Sequence, residues 1–266
     1  MENNKKIFIK SKAVFLCTGV INSTFLAFCA LNKKESNFYL KHSLAGIIPI
    51  INWGFLKKFN KYNVELPDLS WSLLSKNINI SGYFISSYFL QRKLNMSKNY
   101  FLGKFKWIIK RLLPSLAFIT FFTDSSKTKT FLKMKQIFDN NELGGISIEI
   151  ISKNNKKDQK KLISKDLNKF SKFIKNNFFL IKFLTFFSKN GGDIHYGSTM
   201  PDENIEKNNI TTSELGEINN AKNIYVCDAS RMAFISSLPH TFTSMAIVDA
   251  SMPMILKKLN NKKFRD

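Results

Sequence analysis

The chain has 266 residues, of which 44% are hydrophobic, enough to bury a sizeable core in one or two domains, and this excludes a disordered tail. A formal charge of +22 would ordinarily suggest nucleic acid or an anionic membrane, but the cations are nearly all lysine, with arginine only at positions 92, 111, 231 and 265. Scattered lysine together with abundant Asn, Ile and Phe is the composition that an AT-rich genome imposes. It lacks the compact arginine stripe of a nucleic-acid surface, and no nucleic-acid partner is expected.

The first apolar run, "SKAVFLCTGVINSTFLAFCALN", admits two readings. Preceding lysines and the small residues of "FCA" fit a secretory signal. Against this, Thr18, Gly19, Asn22, Ser23 and Thr24 interrupt the apolar segment where a signal core or membrane helix least tolerates them. The alternative is a buried strand over Ala13–Cys17, a tight turn at Thr18-Gly19, and a helix capped by Asn22 or Ser23 that runs into Phe25–Leu31. A strand feeding a helix through glycine is half of an α/β unit. Local pattern leaves both readings open.

Further along, "YLKHSLAGIIPIINWGF" and "WSLLSKNINISGYFISSYFLQRKL" are apolar stretches whose periodicity does not separate helix from strand. Pro114 should end any helix and start an extended run, "LAFITFFTDSS". After the loop "DNNELGG", the alternation of "ISIEII" puts Ile146, Ile148 and Ile150 on one strand face. From Lys160 the residues Leu162, Leu167, Phe170, Phe173 and Ile174 recur at helical spacing, and the pattern continues into "FFLIKFLTFF". Lys182 interrupts that run, which is too short to span a bilayer, so no stable membrane insertion is expected; Phe178–Phe187 is the best membrane-surface candidate.

The three cysteines, Cys17, Cys29 and Cys227, have no metal-ligand spacing. Cys17 and Cys227 lie in apolar runs, which predicts buried free thiols in a reducing, cytoplasmic compartment. His42, His195 and His240 are too dispersed, with no matching carboxylates, to suggest a metal site, and no G-x-S-x-G occurs.

The last third differs in kind. "NIYVCDAS" reads as a buried strand, Ile224–Cys227, that delivers Asp228 to its carboxyl end, where open α/β sheets place ligand-binding groups. Asp228 there is suited to accept hydrogen bonds from a ligand's hydroxyls, or simply to cap a turn. "LPHTFTSMAIVDASMPMILKKL" predicts a helix that opens near Thr241, with Met245, Val248, Met252 and Ile255 on one face and His240 beside its N-terminus. Such an end offers unpaired N–H groups and a positive dipole.

"HYGSTMP", a spacer, "NIYVCDAS" and "PHTFTSMA" together resemble the C-terminal end of the glucose–methanol–choline oxidoreductases, flavoenzymes that oxidise alcohols; "KAVFLCTGVINST" resembles that family's "AGAINSP" stretch. "RLLPSLAFITFFTDSS" and "LGGISIEI" look like the substrate-domain strands between them, so the resemblance spans nearly the whole chain. It favours strand and helix over a signal for the first run. It implies an α/β (α+β) fold, with the C-terminal part of a Rossmann-like FAD-binding domain interleaved with an antiparallel-sheet substrate domain. The implied division is 1–35 as a segment of the FAD domain, 36–190 as the substrate domain, and 191–266 as the segment completing the FAD domain and active site.

By the same resemblance His195 holds the catalytic base position, apt because histidine accepts and returns protons near neutral pH. His240 holds that of the second group on the substrate hydroxyl. Gly19, Asn22, Asp228, Ala229, Thr241 and Thr243 would contact FAD, with the helix at Thr241 stabilising charge on the reduced flavin. Two departures stand out: the family's H-x-x-G-T is one residue shorter here, as His195-Tyr-Gly-Ser-Thr, and His240 follows Pro239 where many members carry Asn before Pro. No G-x-G-x-x-G occurs, and Gly144-Gly145 and Gly191-Gly192 come too late to replace it. The implied protein is therefore a CH–OH oxidoreductase acting on an alcohol or sugar, with a possible separate N-terminal half chain. The alternatives are a non-catalytic remnant of that family and a basic membrane-surface protein.

Overall fold

The computed structural model describes residues 9–52, 70–75, 78–86, 116–139, 142–153, 156–176, 178–188, 195–206 and 208–261. Strand β1 (Val14–Leu16) turns at Gly19 into helix α1 (Val20–Ala30), so the opening run is strand, turn and helix. The helix starts earlier than expected, because Gly19 itself is the N-cap, with φ 84°. A positive φ is cheap only without a Cβ. Asn22 instead donates its side-chain amide back to the Thr18 carbonyl at 3.3 Å.

Strands β2 (Glu35–Tyr39), β3 (Lys41–His42) and β4 (Ala45–Asn52) follow, then β5 (Ser70–Leu73), β6 (Ile80–Ser86), β7 (Leu116–Thr123), β8 (Thr130–Asp139) and β9 (Glu142–Ser152). Thus both ambiguous apolar stretches are strands where described. Helix α2 (Lys156–Ile174) precedes the short strands β10 (Phe178–Leu180), β11 (Phe186–Phe187), β12 (Tyr196–Gly197) and β13 (Ile224–Val226), and helix α3 (Thr241–Asn261) closes the described chain. The expected strand at the 224 end stops at Val226, one residue short of Cys227.

The described structure is mixed α/β, with three helices and mostly antiparallel strands. A curled six-stranded sheet runs β10-β4-β7-β6-β5, with β11 also on β4. Its inner face carries Ile48, Ile50, Ile80, Ile119 and Phe121, and α2 lays Ile163, Leu167 and Phe170 against them. Phe170 stacks on Trp71 with centroids 4.2 Å apart. The helical periodicity holds at Leu167, Phe170 and Ile174, while the Leu162 side chain lies outside the described residues; Phe173 points outward, and "FFLIKFLTFF" is two strands around a 3-10 turn at Lys182–Leu184. β4 offers an open edge, and pairing with it satisfies backbone groups that a short helix would leave to water.

A second core unites the two ends of the chain. β1 pairs in parallel with β13, Val14 opposite Ile224 and Leu16 opposite Val226. Around that pair pack Phe28 and Ala27 of α1, Phe38 and Leu40, Leu132 and Met134 of the three-stranded sheet β2-β8-β9, and Met200, Met232 and Ile235. Ile146 and Ile150 lean on this core while Ile148 is exposed. All three cysteines are free, as expected, but the expected burial of Cys17 and Cys227 is not found: Cys17 and Cys29 are exposed and Cys227 is half-buried. Cys17 sits where β1 has already ended in a turn, outside the core that the strand itself reaches. Among the described residues no helix is long and apolar enough to cross a membrane.

Candidate functional site

The carboxyl ends of β1 and β13 lie side by side, and each ends in a turn. Asp228 ties the two together. One carboxylate oxygen accepts from the Gly19 backbone N–H at 3.0 Å and from the Ser23 hydroxyl at 2.5 Å; the other accepts from the Ser230 N–H at 2.9 Å and its hydroxyl at 2.5 Å. Four protein donors fill the acceptor sites of one carboxylate. Asp228, expected to take a ligand's hydroxyls, is as folded a clamp that sets the shape of both turns.

Above this clamp opens a cavity of about 390 Å³, lined by Thr18, Gly19, Val20, Ile21, Asn22, Tyr196, Asp228, Ala229 and His240. The volume falls in the range of small-molecule sites. At Gly19 an added Cβ would meet nothing within 4 Å, so open space lies directly over the backbone there. Val20–Asn22 supply the first N–H groups of α1, which have no intrahelical partner by construction. α3 begins at Thr241, immediately after His240, whose carbonyl accepts from Ser244 N–H at 2.9 Å. Thr241 and Thr243 are exposed on its first turn.

His195 and His240, distant in sequence, meet edge to face with ring centroids 5.1 Å apart, and the Nδ1 atom of each is shielded from solvent. His195 is set by its chain neighbours: Ser198 N–H donates to the Ala229 carbonyl at 3.1 Å and Met200 N–H to Ser230 at 2.8 Å, so the segment after β12 runs along the turn that Asp228 caps. Its ring also lies 4.9 Å from that of Phe122 on β7. His240 is set from α3, which is held at its far side by Arg231, whose guanidinium donates to the Glu214 carbonyl at 2.6 Å and to the Ser251 hydroxyl at 3.3 Å. Burial pushes the Arg231 pKa down from its ordinary value. Lys258 pairs with Glu217.

All eight residues singled out from the sequence are thus described. Gly19, Asn22, Asp228, Ala229 and His240 line one cavity, with His195 against His240. Thr241 and Thr243 lie at the start of α3. Gly191–Ile194, the front of the "GGDIHYGSTMP" stretch, lie outside the described residues.

Sequence reasoning missed Ser23, Thr18, Tyr196 and Phe122. It also missed the buried Thr24–Thr199 contact at 2.6 Å that locks α1 onto the segment after β12. One signal was available. "DSS" and "DAS" share D-x-S, in which the Asp accepts from the N–H two residues on; Asp124 caps the 3-10 turn Ser125–Lys127 as Asp228 caps Ala229–Arg231.

His42, the third histidine, is buried between the Ser43 carbonyl at 2.8 Å and the Thr130 hydroxyl at 2.9 Å, a structural role. Among the described residues no three His, Cys, Asp or Glu gather as a metal site. No protein-family model matches the chain, and no curated protein matches it at a significant level.

Proposed function

We propose that this chain carries the catalytic end of a glucose–methanol–choline-type oxidoreductase that oxidises a CH–OH group of an alcohol or sugar. The observation that carries the reading is the meeting of His195 and His240 at a cavity on the carboxyl edge of a parallel strand pair, the edge where α/β sheets bind ligands. The residues present fit a flavin: Gly19 leaves its backbone open to close approach, and the starts of α1 and α3 put unpaired N–H groups near the same space. FAD, when bound, supplies the hydride acceptor for the alcohol carbon.

In this reading Gly19, Asn22, Ala229, Thr241 and Thr243 hold the cofactor directly, and Asp228 acts through the clamp that orders both turns. His195 takes the proton of the substrate hydroxyl, and His240 donates a hydrogen bond to the same oxygen. Phe122 covers one face of the His195 ring and keeps water from it. The N-terminus of α3 opposes negative charge with its dipole. The pyrophosphate-binding glycine turn is not among these 266 residues, and this reading needs it supplied from outside them.

The test is the visible spectrum of the purified chain, alone and co-expressed with a polypeptide carrying the strand, glycine turn and helix. Flavin bands are expected with the partner, and His195→Ala should keep the bands but lose their bleaching by alcohol without oxygen. Absence of flavin from both preparations sinks the proposal.

A further inference from the structure

Away from the cavity, one flank of the protein combines lysines and exposed phenylalanines in a way that the proposed chemistry does not use. Over residues 156–188 the sequence holds nine lysines and two aspartates. One of those aspartates, Asp166, is buried and pairs with Lys169. On α2 the exposed residues Lys157, Lys161, Lys165, Asn168 and Lys172 recur every three or four positions, which lines them along one side of the helix. Asn168 fixes what lies beside that side: its carbonyl oxygen accepts from the Lys182 ammonium at 2.6 Å, so the lysine row borders the 3-10 turn between β10 and β11.

That turn is apolar and projects. Phe183 is 85% exposed and Leu184 42%. Next to it, Phe186 on β11 is 65% exposed and lies opposite Ile47, itself 42% exposed; Phe179 on β10 is 51% exposed and lies opposite Ile51. Ile47 and Ile51 share one face of β4, because side chains alternate along a strand. Phe179, Phe186 and Ile47 thus form one apolar strip on the outer sheet face, and Phe183 and Leu184 stand at its end; the lysine row lies on the side of α2 turned away from the sheet, and the turn meets it through Lys182 and Asn168.

We infer that this flank is a peripheral docking surface for an anionic lipid bilayer. Bulky apolar side chains on a projecting turn enter the interface between headgroups and acyl chains, and neighbouring lysines remain at the level of lipid phosphates. Charge complementarity selects a negative surface. The choice of a bilayer over nucleic acid rests on the absence of arginine from residues 156–188 and on phenylalanines arranged as a strip, suited to burial in hydrocarbon. Contact of this kind is reversible and needs no spanning helix.

The experiment is co-flotation of the full chain with phosphatidylglycerol-containing vesicles, phosphatidylcholine vesicles and, separately, titration with single-stranded RNA. Binding to the anionic vesicles alone is expected, with release at high salt. Phe183→Ser with Phe186→Ser should lower it by at least about tenfold, and Lys161→Gln with Lys165→Gln and Lys172→Gln should weaken it without altering the melting temperature. These substitutions sit on exposed positions, so the fold is retained and circular dichroism checks it. Equal binding to neutral vesicles, unchanged binding of the double Phe variant, or RNA binding without vesicle binding overturns the inference. None of these results depends on flavin content.

Discussion

Asp228 shows how a single side chain sets the shape of a site. Its two oxygens hold the N–H and hydroxyl groups of residues before, within and after the turns at 19–23 and 229–231. Charge-assisted bonds to backbone N–H groups are about twice as strong as neutral ones. Asp228→Asn keeps the volume but turns an NH₂ toward one pair of donors, leaving them without an acceptor. The expected loss is about 2–4 kcal/mol, measured as a shift in the urea unfolding midpoint at unchanged slope, and flavin retention should fall with it. Ser23→Ala, which removes one donor and leaves the carboxylate with three, should cost less, about 1 kcal/mol.

Helix α2 and the strands after it illustrate which elements can be read from sequence and which cannot. Leu167 and Phe170 lie on the buried face at helical spacing because a single apolar stripe packs against the sheet. Phe170→Ala should cost about 3–5 kcal/mol, since it removes a buried ring stacked on Trp71; a calorimetric melting shift checks it. Strand β1, the turn at Gly19 and α1 were legible as one of two readings: glycine between an apolar run and a helical pattern fits a turn, but the preceding lysines fit a signal equally, and local pattern did not choose between them. The run after α2 was not legible: Phe178–Phe187 is apolar but for Lys182 and Thr185, and what makes it two strands is the free edge of β4, which lies far back in the sequence. Nor could the burial of Cys17 be judged, since strand composition does not say on which side of the turn the core ends. At the site, His195, His240 and Asp228 were legible as candidates. The occupancy of Asp228 by Ser23 was not, because it depends on a pairing between opposite ends of the chain.

Across the molecule, the parallel pair and its surroundings gather groups that favour their protonated forms. Burial, together with the adjoining Cys17 thiol, pushes Cys227 from its ordinary 9.0 up to about 11. Burial and then Glu217 raise the Tyr225 phenol, and the hydrogen bond to Glu217 raises Lys258. Each group binds its proton more tightly folded than unfolded, so its contribution is complete below the ordinary values and declines as pH rises through the folded ones. The melting temperature should therefore fall from pH 9 toward 11, and Cys227→Ala should flatten that slope whatever it does to stability at neutral pH. A pH-independent melting temperature over that window would remove the thiol from this account.

Gly19 and Asp228 lie 209 residues apart, and that separation dictates an order of events at the ribosome. At roughly 5–20 residues per second, β1 emerges on the order of ten to forty seconds before β13 exists. Through that interval Val14, Phe15 and Leu16 have no cross-strand partner, whereas the six-stranded sheet and α2 can close on contacts already synthesised. The cell thus makes the cavity last. A nascent chain halted before residue 224 would hold a formed sheet and an unclaimed apolar strand β1, a species for chaperones to shelter until the segment from residue 224 onward arrives.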